Sequence, residues 1–258
     1  MFKEWLFSCL PRESRYLYRL SKKYVDRYRN ENNGDMRSNG EERFLASVLP
    51  ACRVVFDVGA NVGDWAKIAL SVNPRVNLHC FEPSHATYAR LVASRFPPNV
   101  LCNNIGLGST PSEGRLLIFE DGSGLNSLYR REGLEAGWGI DTNTREESIQ
   151  LDTLDNYVES QGITSRIDLC KIDVEGHELE VLRGMKATLG RRQMGMIQFE
   201  YGGCNIDSRV LLKDIFSFLH GFKYELFKIW PAELRHVPKY DQRLENFQYQ
   251  NWVAKPTI

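Results

Sequence analysis

Carboxylates recur where apolar runs of this chain end. Val54, Val55 and Phe56 lead into Asp57, and Val76–Phe81 leads into Glu82. Ile167–Ile172 leads into Asp173, with Glu175 and His177 just beyond, and Met196–Phe199 leads into Glu200. A buried parallel strand reads as such a run, and open α/β sheets bind ligands outside the carboxyl ends of their strands. After Asp57 the spacing is D-x-G-x-x-x-G. Gly59 and Gly63 bracket a tight turn, and Val62, Trp65, Ala66, Ile68 and Ala69 then give a helical face. Strand, glycine turn and helix together aim backbone N–H groups and the positive end of a helix dipole at one spot. An acid before the first glycine repels the pyrophosphate of a dinucleotide, whose fingerprint is G-x-G-x-x-G, and suits a cationic ligand. S-adenosylmethionine (SAM) carries an ammonium, a sulfonium and a carboxylate. On this reading Asp57 meets the ammonium and the helix N-terminus meets the carboxylate. The plainer alternative is a turn with no ligand.

The remaining acids fit the same crevice. Glu82 stands some 25 positions after Asp57, at the end of the neighbouring strand, where a carboxylate accepts both ribose hydroxyls of an adenosine; Pro83 closes that strand. Asn104 leaves the third strand and either contacts the adenine edge or only forms a turn. If extended, residues 173, 175 and 177 share one side of the chain. Methyl transfer from a sulfonium is an in-line displacement, so alignment supplies up to roughly 7–11 kcal/mol. A positioned base adds about 10²–10⁴-fold. His177 or Asp173 is the expected proton acceptor, with Glu175 orienting its neighbour. The competing role for Glu175 and His177 is capping of the next helix. Asp173, Glu175, His177 and Glu200 also make an oxygen/nitrogen ligand set for Mg²⁺ or a similar ion, so the spacing leaves a metal requirement undecided.

These residues need a framework, and the periodicity supplies one. Strands and helices alternate from residue 53 to 230, the pattern of a doubly wound sheet. Short strands are expected at 76–81, 100–104, 167–172, 196–200, 224–230 and 246–254, with helices after Ser84, over 178–189 and over 208–219. Asp152 or Thr153 caps the helix of TLDNYVES. Residues 114–119 and 148–151 read as paired strands around a polar insert, in which Asn126, Ser127 and Trp138 are the candidate substrate contacts. The reading divides the chain into residues 1–40, a basic amphipathic helix and polar connector, and 41–258, the catalytic domain. Residues 14–29 place Leu17, Leu20, Tyr24 and Tyr28 on one helical face. Residues 1–30 hold eight Lys/Arg against three Asp/Glu. Such a helix either packs on its own domain as a lid, the favoured expectation, or lies on an anionic membrane as a peripheral contact.

The 258 residues hold 33 Lys+Arg and 33 Asp+Glu, so no global field draws nucleic acid, and none is expected as a partner. Six cysteines without a C-x-x-C pair read as buried thiols of a reducing compartment. The first residues have too short an apolar core for a signal peptide, and a cytoplasmic location is expected.

Three blocks then resemble the FkbM family of SAM-dependent methyltransferases: VFDVGANVGDW, CFEPSHATYARL, and TLDNY followed by DLCKIDVEGHELEVLRG. The resemblance covers roughly residues 40–200. It implies a class I methyltransferase fold, Rossmann-like and doubly wound, with seven strands of which the last is antiparallel. It also implies O-methylation of a sugar hydroxyl in a surface glycan or of a secondary metabolite. Carried onto this chain, it puts Asp57, Gly59, Asn61 and Gly63 around the methionine moiety, Glu82 and Pro83 at the ribose, Asn104 near adenine and Asp173 at the reactive centre. Two other readings compete. An NAD-dependent oxidoreductase predicts stabilisation by NAD, and a non-catalytic SAM- or glycan-binding protein predicts binding without transfer.

Overall fold

The computed structural model describes residues 11–134, 139 and 143–257. Helix α1 (Arg15–Arg29) is followed by α2 (Met36–Asn39) and α3 (Glu41–Val48). The sheet-forming part then runs β1 (Val54–Val58), α4 (Asp64–Val72), β2 (Asn77–Phe81), α5 (His85–Ala93) and β3 (Val100–Asn103). Strands β4 (Gly106–Leu107), β5 (Ser112–Ile118) and β6 (Arg145–Asp152) come next, then α6 (Leu154–Ser160) and β7 (Ile167–Ile172). Helices α7 (Glu178–Arg183) and α8 (Lys186–Gly190) precede β8 (Met194–Tyr201), and α9 (Cys204–Ser208) and α10 (Leu212–Gly221) follow it. The chain closes with β9 (Tyr224–Ile229), β10 (Leu234–Val237) and β11 (Gln250–Pro256).

The main sheet has the order β10-β9-β11-β8-β7-β1-β2-β3. Strands β1, β2, β3, β7 and β8 pair in parallel, and β11 inserts antiparallel between β8 and β9. This is the expected class I arrangement with one addition. Strand β10 pairs antiparallel with β9 and makes an eighth strand at the edge. Its sequence, LRHV, carries too little apolar pattern to announce a strand. The 114–119 and 148–151 runs do pair antiparallel, but in a separate three-stranded sheet ordered β4-β6-β5.

Helices cover both faces of the main sheet, so every residue of β1 is buried. Alternation assigns Val54, Phe56 and Val58 to one apolar layer, with Tyr157, Leu182 and Phe216, and Val55 to the other, with Phe44, Trp65 and Leu91. The five described cysteines are free thiols; Cys9 lies outside the described residues. No helix among the described residues is long and apolar enough to cross a membrane.

Three local expectations change. The helix anticipated over 178–189 is two short helices, α7 and α8. The chain breaks at Gly184, where a Cβ would stand 2.0 Å from the Gly108 carbonyl oxygen. The 208–219 helix begins later, at Leu212, behind the short α9. The polar segment 30–42 is not a solvated connector. Glu31 pairs with Lys228 at 3.2 Å, Asn39 and Glu41 are buried, and Gln198 and Asn251 donate to the Glu41 carboxylate at 3.1 and 2.6 Å. Polar side chains can be buried when each finds a partner, and composition cannot report that. Thr153 caps α6 as expected, accepting from the Asn156 amide.

Gly59 is the residue this framework tolerates least in any other form. Its φ is +80°, and a Cβ there would lie 1.8 Å from the Asp173 carbonyl oxygen. Gly59→Ala should therefore lower unfolding free energy by about 2 kcal/mol or more, since left-handed strain alone accounts for about 1–2. Gly162→Ala is the control: φ is +61° with open space around it, so it should show the strain cost only. Urea denaturation of the two variants measures the difference.

Candidate active site

A cavity of about 1100 Å³ opens at the carboxyl ends of β1, β2, β7 and β8, the place where doubly wound sheets bind ligands. Gly59, Asn61, Glu82 and Pro83 line it together with Asp173, Glu175, His177 and Glu200. The turn after β1 is pinned to its neighbour, because the Gly59 and Ala60 amides both donate to the Phe81 carbonyl at 3.0 and 2.9 Å. Asn61 adopts φ +48°, and Gly63 at φ +86° caps α4.

Glu82 is 7% exposed. It accepts from the Asn61 amide at 3.0 Å and the Ser84 amide at 2.9 Å. Burial pushes its carboxyl up to about 7, although both amides pull the other way. A ligand's hydroxyls would find it aimed by its backbone partners.

Two expected ligand contacts fall elsewhere. Asp57 is fully buried beneath the cavity and does not line it; its Oδ1 accepts from Lys171 Nζ at 3.3 Å. Asn104 spends its amide on the Glu82 and Pro83 carbonyls at 2.9 and 3.0 Å and does not line the cavity. It shapes the Glu82 turn.

Lys171 is the residue that sequence pattern missed. It sits in IDLCKI, where a strand-interior lysine reads as an edge or surface residue. Instead it is buried, 3.3 Å from Asp57 and 3.2 Å from Asp173, with Nζ 5.9 Å from the Trp65 ring centroid. Burial works against its charge, but Asp173 and Asp57 together hold its pKa above the usual lysine value. The carboxylate ending β1 thus acts on the cavity through Lys171 and Asp173.

The turn after β7 is not extended. Glu175 has φ +51° and Gly176 φ +100°, so residues 173, 175 and 177 do not form one alternating row. Glu175 meets buried Arg131 at 2.7 Å, and Arg131 also reaches Asp207 at 3.4 Å. Burial, then Asp173, pushes Glu175 up to about 8 against the pull of Arg131. Helix capping passes to Glu178, whose Oε1 accepts from the Val174 and Gly176 amides. His177 Nδ1 meets the Tyr129 hydroxyl at 2.9 Å, and its Nε2 is buried without a partner among the described residues. Burial drops its pKa to about 4, which keeps the ring neutral. Asp173, Glu175 and Glu200 each offer an oxygen within 4.8 Å of the others, whereas His177 is outside that group. Burial and then Asp173 push Glu200 well above the ordinary carboxylate range. The four-residue ligand set is therefore reduced to three acids, two of which already face Arg131 and Lys171.

The insert after β5 closes over this end through the Arg131 pairs. Asn126 lines the cavity, but its amide holds the loop, with Oδ1 accepting from the Phe119 amide and Nδ2 donating to the Glu120 carbonyl. Ser127 is buried and donates to the Glu175 carbonyl at 2.8 Å, so it is a loop anchor and not a substrate contact. Trp138 lies outside the described residues.

A doubly wound sheet with antiparallel β11 between β8 and β9, and an acid-lined cavity across β1, β2 and β7, is the class I methyltransferase architecture. The methyltransferase FkbM domain matches residues 57–226, and the chain belongs to that family. It is 32% identical over 167 residues to AMB antimetabolite synthetase AmbE of Pseudomonas aeruginosa, covering 54% of this chain and 8% of that protein. With the hexuronic acid methyltransferase AglP of Haloferax volcanii it shares 31% over 151 residues, 58% of this chain and 56% of AglP. With the 2-O-methyltransferase NoeI of Sinorhizobium fredii it shares 25% over 187 residues, 66% of this chain and 72% of NoeI. The chain thus spans little more than half of AglP and a small part of AmbE.

The ion pairs set a stability test. Lys171→Met leaves Asp57 and Asp173 without their shared cation and should cost about 3–5 kcal/mol in urea unfolding. Adding Asp57→Asn should recover part of that loss, because no buried charge is then left unpaired at β1.

Proposed function

We propose that this protein is a SAM-dependent O-methyltransferase whose acceptor is a hydroxyl of a sugar, in a surface glycan or a secondary metabolite. The observation that carries the reading is one cavity lined both by a backbone-aimed Glu82 and by the Asp173–Glu200 carboxyl pair. Family membership supports the donor, the name of AglP supports a sugar acceptor, and that of NoeI supports transfer to oxygen.

The residues present fit the donor. Glu82 would accept the ribose hydroxyls, Pro83 would flank them, and the N-terminus of α4 would receive the methionine carboxylate. Asp173, at the cavity surface and held by Lys171, faces the ammonium and sulfonium side. Bound there, SAM supplies a methyl group on a sulfonium, open to in-line attack by an oxygen. The acceptor hydroxyl donates its proton to Asp173. Burial pushes the neighbouring Glu200 carboxyl well above the ordinary carboxylate range, which disfavours a second charge beside Asp173. His177 commits its Nδ1 to Tyr129 and so holds the insert against the turn after β7.

Asp173→Asn should then lower kcat by about 10²–10⁴-fold. His177→Ala should lower it by less than about tenfold and leave the Kd for S-adenosylhomocysteine unchanged. Equal losses in the two variants would return the base role to His177. The assay is transfer of label from SAM to hexuronic-acid-containing glycans, with NAD as the control ligand in thermal stabilisation.

Glu82 gives a pH dependence. Its carboxylate must be ionised to accept two hydroxyls, so lowering pH through about 7 protonates it and weakens binding. Calorimetry with S-adenosylhomocysteine should show up to about tenfold weaker affinity per pH unit below that point, and a flat dependence in Glu82→Gln.

A further inference from the structure

Helix α1 was the favoured candidate for a lid, and the structure does not place it as one. No residue of α1 is buried; Leu20, Tyr24 and Tyr28 are 54%, 68% and 67% exposed. A surface helix of a globular domain ordinarily buries its apolar stripe, and none of the described residues covers this one.

The helix is nevertheless held firmly at its root. Ser14 caps its start, and Asn30 ends it in a left-handed conformation with φ +51°. The Asn30 amide donates to the carbonyls of Asn39 and Ile229 at 2.7 and 3.0 Å. The next residue, Glu31, is buried against Lys228 and also accepts from Asn246 at 2.9 Å. A helix anchored to β9 by buried polar contacts, yet showing a bare apolar face, is mounted to meet something else.

Charge says what. Residues 15–29 hold six Lys/Arg and one Asp, a net +5, while the rest of a neutral chain carries −5. Arg15, Arg19, Lys22 and Lys23 lie away from the Leu17, Leu20, Tyr24 and Tyr28 face. Apolar and tyrosine side chains on one side, with cations on the other, fit the headgroup region of an anionic bilayer. The root of the helix also borders the cavity mouth. Asn32, Gly34, Met36, Gln248 and Tyr249 line the cavity, and Lys22 Nζ reaches Gln248 Oε1 at 3.4 Å.

We infer that α1 is an interfacial anchor that lays its Leu17, Leu20, Tyr24 and Tyr28 face into an anionic lipid surface and turns the cavity mouth toward an acceptor held there. The acceptor class this implies is a glycan carried on a lipid, an extension that rests on the proposed methyl transfer. The anchoring itself does not.

Vesicle co-sedimentation of the full chain tests it without SAM or acceptor, so failure of the methyl-transfer reading leaves the result intact. Binding is expected to phosphatidylcholine vesicles containing phosphatidylglycerol, not to phosphatidylcholine alone. It should be released near 1 M salt, where screening length falls to about 3 Å. Arg15→Gln/Arg19→Gln/Lys23→Gln should lower the partition coefficient by roughly a hundredfold. Leu20→Ser/Tyr24→Ser should also abolish binding, with melting temperature unchanged in both variants. Equal binding to neutral vesicles, or no binding to either, overturns the proposal. So does a lipid-free dimer in sedimentation equilibrium that dissociates in Leu20→Ser/Tyr24→Ser, which would assign the face to a second copy.

Discussion

Lys171 is the charge on which the site rests. Four adjacent parallel strands, β8, β7, β1 and β2, end in carboxyl groups or lead to them, and burying several such groups in one place is prohibitive unless a cation is buried with them. Lys171 lies between Asp57 and Asp173 and pairs with both from near the carboxyl end of β7. Its position joins the turn after β1 to the turn after β7. Asp173 is thereby fixed at the cavity surface while Asp57 stays below it. Gly59 completes the junction by letting its backbone pass against the Asp173 carbonyl, where any side chain would collide.

A second cation organises the other wall. Arg131, from the insert after β5, is buried between Glu175 and Asp207. It ties a long polar loop to the left-handed turn at Glu175 and Gly176, with Ser127 adding a hydrogen bond to the same turn. The two clamps differ in origin. Lys171 belongs to the sheet and is as rigid as its strand, whereas Arg131 arrives on a loop and couples the insert's placement to the charge of Glu175. Between them lies a carboxyl pair, Asp173 and Glu200, in which burial pushes Glu200 well above the ordinary carboxylate range.

The ends of the chain are built by the same means. Glu31–Lys228 and the bonds around Glu41 fasten residues 30–41 to β8, β9 and β11. A segment that composition describes as a polar connector is thus an ordered part of the cavity's border. The helix before it rises from this fixed root with its apolar face uncovered among the described residues.

The sequence by itself determined most of the main-sheet strands and the sheet edge at which the cavity lies. Strand periodicity, Gly59 and Gly63, and acids at strand ends are local chemistry, and local chemistry is written in order along the chain. Thr153 capping α6 and Glu82 at the end of β2 were legible for the same reason. The partners of those acids were not. Whether Asp57 meets a ligand or Lys171 depends on strand register across β1 and β7, a contact between residues 114 positions apart. The roles of Ser127 and His177 likewise turn on how the insert docks, and β10 exists because β9 offers an open edge for it. Tertiary structure decided these, because the cost of burying a charge is set by what stands opposite it in space, which no spacing in the sequence can record.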